Sequence, residues 1–167
     1  MEKGFRRRAT PPEGLAKRVG DRAVLLHDRK VPKTRGNIDH IAIAGSGVWV
    51  IDANTYKGKL ERQIVGDFFN AQQRLYVGGR DRTKLINGLA WQFKTVRSAL
   101  GDEVVPIHAA ICFIDAEWSF FAKPFQMGDV WVTWGKKLAE MIAAPGELGQ
   151  EEVLRIANEL AAALPPG

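Results

Sequence analysis

The sequence predicts a mixed α/β domain, with a central mixed sheet flanked by helices, and three features point there. Thr83 to Leu100 has helical periodicity, with Leu85, Leu89, Val96 and Leu100 on one face, Thr83 placed to cap its start and Gly101 to end it. Val104 to Ile114 is a long apolar run rich in β-branched residues, as expected of a central strand covered on both faces. Ile38 to Ala44 and Val48 to Asn54 are apolar-rich runs joined by Gly45-Ser46-Gly47, a hairpin signal.

The remaining elements follow in chain order. The first twelve residues carry Lys3, Arg6, Arg7 and Arg8, end in Pro11-Pro12, and read as a flexible basic arm ahead of one domain over residues 13–167. Residues 13–20 suit a short helix and Arg22 to Leu26 a first strand, followed by a polar connection, His27 to Asn37, that contains Pro32 and Gly36. After the hairpin, Tyr56-Lys57-Gly58 turns the chain into a third strand, Lys59 to Val65. Asp67 to Arg82 reads as irregular, with a turn at Gly78-Gly79. A further strand is expected at Asp129 to Thr133. Helices are expected at Gly135 to Ala144 and at Gln150 to Leu164, the second stopped by Pro165-Pro166.

Composition narrows the function classes. The chain has 167 residues, 46% apolar and 26% charged, an ordinary globular make-up long enough to bury one sizeable core. Cys112 is the only cysteine, so an internal disulfide and a cysteine zinc site are both excluded. No stretch approaches ~18 consecutive apolar residues, so no membrane span or membrane partner is expected, and a cytoplasmic location is. A net charge of +5 leans towards anionic partners such as nucleic acid.

The hairpin carries two acids where apolar residues would be expected. Side chains alternate along a strand, so Val48, Val50, Asp52 and Asn54 share one face while Trp49, Ile51 and Ala53 share the other. A two-residue loop sets Asp39 opposite Asp52, and a three-residue loop offsets them by one. Two carboxylates so close repel each other and need a counter-ion. A hard divalent cation such as Mg²⁺, which commonly takes one or two carboxylates plus water and phosphate oxygens, supplies one. The alternative is that both acids sit at strand ends and pair with local Arg or Lys.

Asn37-Ile38-Asp39-His40, Gly47-Val48-Trp49-Val50-Ile51-Asp52-Ala53-Asn54 and Tyr56-Lys57-Gly58-Lys59 together resemble the nuclease-related domain (NERD) family found in many bacterial proteins, a branch of the PD-(D/E)xK nuclease superfamily. The resemblance implies a nuclease-like core. It makes Asp39 the first metal ligand, Asp52 the acid of the (D/E)xK triplet and the carbonyl of Ala53 a further ligand of Mg²⁺ or Mn²⁺. Such an ion would polarise a phosphodiester and help water attack it. Gln92 resembles the family's helix glutamine. On its own helix it lies between Leu89 and Val96, which also fits a satisfied core amide.

The triplet departs from the family pattern, because Asp52-Ala53-Asn54 has asparagine where lysine is usual. Asparagine can orient a water but brings no charge to the phosphate. Lys57 and Lys59 lie close enough in sequence to reach back. Together with Arg35 and Arg62 they surround the hairpin as candidate phosphate contacts, although solvated loop charges look the same in sequence. Family members usually begin with a longer helix bearing an acid, and only Glu13 is available here. His40 should point away from the acids and serve structure, and His27 and His108 lack ligand-like spacing. The expected function is a metal-dependent nuclease-like domain acting on DNA phosphodiesters, with activity weakened at Asn54. The alternative is a non-catalytic nucleic-acid-binding or regulatory module on the same fold.

Overall fold

The structure, a computed structural model, describes residues 14–101 and 104–167. The expected basic arm and Glu13 lie outside the described residues. The mixed α/β expectation holds. A six-stranded sheet runs in the order β1 (Ala23–Lys30), β2 (Asn37–Ala44), β3 (Gly47–Asn54), β7 (Ile107–Phe113), β10 (Val130–Thr133), β9 (Phe125–Met127). Its centre, β3-β7-β10, is parallel, and the pairs at either side are antiparallel. A second, four-stranded sheet combines β4 (Gly58–Val65), β5 (Gln72–Val77) and β6 (Arg80–Asp81), which lie between β3 and β7 in the chain, with β8 (Ala116–Glu117), which follows β7, in the order β6-β5-β4-β8.

Helices cover both faces of the main sheet. On one face, Ile41, Ile43, Val48, Val50, Ile111 and Phe113 pack with Leu89 and Val96 of α2 (Lys84–Leu100) and with Ile156 and Leu160 of α4 (Gln150–Ala163). On the other, Ala42, Trp49, Ile51 and Cys112 pack with Leu15 and Val19 of α1 (Leu15–Val19) and with Leu138 and Ile142 of α3 (Gly135–Ala143). The apolar run of β7 follows from this double coverage, since both sets of its side chains are buried. Arg29 fastens α4 to β1: its guanidinium donates to the carbonyls of Leu164 at 2.6 Å and Ala161 at 2.9 Å, a cation at the helix end where the dipole favours one.

Three expectations are corrected. The first strand runs on through His27 to Lys30, and Asp28 takes a positive φ of 46° within it, which breaks the alternation that would have shown the strand in sequence. Asp67 to Arg82 is not irregular, because it contains β5 and β6 joined at Gly78-Gly79. Only Leu75 and Val77 of β5 are buried, so its pattern is too short to stand out. Thr83 does not cap α2 with its side chain; its hydroxyl accepts the Leu75 N–H at 2.9 Å and ties the helix start to β5. Gly101, at φ 67°, ends α2 as expected. The short strands β8 and β9 carry no sequence signal.

His40 is buried on the α1/α3 side, with its Nδ1 2.9 Å from Nδ1 of His27. Burial, then the charge of His27, push its pKa down to about 4, while Asp39 and Asp28 pull the other way. The neutral ring is therefore the folded form. An unfolded histidine titrates near ~6.5, so below that pH the unfolded chain takes up a proton that the folded chain resists. Stability is expected to fall as pH drops from 6.5 to about 4, by on the order of 3 kcal/mol at His40. Urea unfolding curves in chelator across this range should show the decline, and His40→Gln should flatten it.

Candidate functional site

The hairpin fixes the site. Its loop is two residues, Gly45-Ser46, and the ladder runs from Ala44 opposite Gly47 to His40 opposite Ile51. Gly47 has φ 126°, and a Cβ there would meet the Pro106 carbonyl at 2.6 Å, so only glycine holds this turn against the start of β7. His108 braces it, with Nε2 3.1 Å from the Ser46 carbonyl and its ring 4.4 Å from that of Trp49. Extended one step past its last pair, this register would set Asp39 opposite Asp52. There the strands part, because β2 stays with β1 through Ile38 and Asn37 while β3 stays with β7 through Asp52 to Asn54.

Alternation then assigns faces. Val48 and Val50 belong to the α2/α4 core, as do Ile111 and Phe113, the β7 partners of Asp52 and Asn54, so Asp52 and Asn54 lie on the α2 side of the sheet, whereas Asp39 follows Ile41 and Ile43 in parity but adjoins Ile38, which is buried in that same core. All three are half-buried. The Asn54 amide donates from Nδ2 to Oδ2 of Asp52 at 3.2 Å, which puts the side chain at the triplet's third position against the second acid. Along β3 the backbone groups of Val48 and Asn54 bond towards β7, to Pro106 and Ile114 at 2.9 Å each. Ala53, one step before Asn54, turns its carbonyl the other way, to the β2 side of β3.

Gln92 lies on the α2 stripe between Leu89 and Val96, over the same face. Its Oε1 is buried with no donor among the described residues. A buried unpaired acceptor costs about 1–3 kcal/mol, so this oxygen calls for a donor such as water or a ligand hydroxyl.

The four cations differ. Arg35 is exposed in the β1–β2 connection, which is tucked against α2: a Cβ on neighbouring Gly36 would meet the Trp91 ring at 2.5 Å. Lys57 is exposed in the β3–β4 connection. Lys59 is exposed and its ammonium sits 3.2 Å from Glu61. Arg62 is in the second sheet, with its guanidinium 4.6 Å above the Phe125 ring.

Sequence reasoning missed Asp28. The β1–β2 register sets it opposite Asp39, and its Oδ1 accepts from the Asn37 amide at 2.7 Å. It was hidden in a segment that read as a polar connection. Among the described residues no three His, Cys, Asp or Glu side chains gather as a metal nest. A cation on this face would therefore rest on Asp39, Asp52 and the Ala53 carbonyl, with water and phosphate completing the shell. That donor set is all oxygen, which fits Mg²⁺ or Mn²⁺.

Among the described residues, no helix is long and apolar enough to cross a membrane. The sequence model of one family, described as a nuclease-related domain, matches residues 14–114, from the start of α1 to just past the end of β7. No curated protein and no solved structure matches the chain.

Proposed function

We propose, from the premise that this chain belongs to the nuclease-related domain family, that it acts on DNA phosphodiesters through a divalent cation held by Asp39 and Asp52. The observation that carries this reading is the two-residue loop of the hairpin, whose register, extended one step past its last pair, would bring Asp39 opposite Asp52. Bound there, Mg²⁺ or Mn²⁺ would polarise the phosphodiester and help generate the attacking hydroxide. Asp39, Asp52 and the Ala53 carbonyl would hold the ion. Gln92 Oε1 would accept from the attacking water and orient it. Arg35 and Lys57 would grip flanking phosphates, with Lys59 and Arg62 further along the strand path. Asn54, holding Asp52 by its amide, would orient that acid but add no positive charge, so cleavage would be slow.

A second reading rests on that same amide. With a neutral side chain bonded to Asp52, the fold would serve as a nucleic-acid-binding or regulatory module without cleavage. Incubating labelled DNA with wild type in Mg²⁺, Mn²⁺ or chelator separates the two. Metal-dependent cuts support the nuclease. Binding without cuts, persisting after lysine is restored at position 54, supports the module.

The site also makes a stability prediction. A ligand that binds only the folded chain raises its unfolding temperature. Mn²⁺ is expected to raise that of wild type and to leave Asp52→Asn unmoved in differential scanning fluorimetry. An equal rise in both would place the ion elsewhere.

A further inference from the structure

Four phenylalanines stand almost wholly in solvent: Phe68 (93%), Phe69 (88%), Phe120 (94%) and Phe121 (87%). None belongs to either core. They come as two edge-to-face pairs, with ring centroids 5.4 Å and 4.9 Å apart. The first pair forms the tip of the β4–β5 hairpin. The Asp67 carboxylate shapes that tip by accepting from the N–H groups of Phe69 at 3.1 Å and Asn70 at 3.0 Å. The second pair lies in the loop after β8, which runs beside β4 because Lys59 pairs with Glu117.

Two cations, Arg62 and Lys123, and two further rings, Trp118 and Phe125, lie by the second pair. The loop and β4 enclose an open groove of about 260 Å³ lined by Leu60, Arg62, Trp118, Ser119, Lys123 and Phe125. Arg62 stacks on Phe125 within it. Continuing along the same face of β4, Ile64 is bare at 72% exposure, and the Phe68-Phe69 tip follows. Residues 57–82, which build this arm, hold six Lys or Arg against three acids. The arm leaves β3 directly after Asn54.

We infer that the β4–β5 arm and the β8–β9 loop form a stacking track for unpaired bases, which holds a single-stranded or frayed stretch of nucleic acid leading to the Asp39–Asp52 face. Cationic grooves with exposed aromatic rings bind single strands because every base has a face to stack and every linkage a charge to neutralise. The charge balance of the arm argues for a polyanion over an apolar protein partner. The inference rests on the proposed function and adds the form of the substrate and the surface that selects it.

The test uses the full chain in chelator, with fluorescein-labelled single-stranded DNA and the blunt duplex of the same sequence, read by anisotropy. Wild type is expected to prefer the single strand. Phe68→Ala/Phe69→Ala and Phe120→Ala/Phe121→Ala should each weaken single-strand binding at least about fivefold while moving duplex binding less than about twofold. If both variants bind single strands as wild type does, the track is overturned and the proposed function stands. If wild type binds neither DNA, both readings fall. Variants that lose co-sedimentation with phosphatidylserine vesicles, or a concentration-dependent dimer, while keeping DNA affinity would give the surface to a membrane or to a second copy and overturn the track.

Discussion

Replacing Asn54 with lysine is expected to raise metal-dependent cleavage of DNA by at least about tenfold, a cautious part of the ~10²–10³ that a preorganised stabilising group usually contributes. Position 54 shares the face of Asp52, and the present amide already reaches within 3.2 Å of its carboxylate. A lysine there would carry an ammonium to the phosphate edge of the acids, where negative charge builds in the transition state. It would not disturb Trp49 and Ile51, which pack on the opposite face. The competing account gives the role to Lys57 or Lys59. Under it wild type cuts well, Asn54→Lys changes little, and Lys57→Ala or Lys59→Ala removes activity. The Lys59 ammonium is already engaged by Glu61, so of the two Lys57 is the one to watch.

The second large effect concerns the acids. Asp39→Asn and Asp52→Asn keep the shape of each side chain and remove its charge. Each is expected to lower cleavage on the order of 10²-fold or more, and the double variant should be little worse than the poorer single one, because groups that act through one ion are not additive. Rates measured for the three variants under equal Mn²⁺ decide this. Losses that multiply would mean that the acids act separately.

The hairpin was legible because its alternation, its glycine turn and its flanking motif all agree. The length of the turn was not, since Gly45-Ser46-Gly47 accommodates either register. The choice is made by the Gly47 φ of 126° and its contact with Pro106, a residue distant in sequence. Parity alone placed Asn54 beside Asp52. Asp28 stayed hidden because its left-handed φ interrupts the strand pattern that would have brought β1 up to Asp39. β5 was unreadable for a related reason: with only Leu75 and Val77 buried, its stability comes from pairing with β4 rather than from an apolar face. The exposed phenylalanines look like core residues in sequence, and only the fold shows that none of the described residues covers them.

A calorimetric Mn²⁺ titration of wild type, Asp39→Asn and Asp52→Asn tests most directly that the two acids hold a single cation. The account predicts one ion per chain in wild type and loss of that binding in each variant. Saturable binding of unchanged affinity in both variants would contradict it.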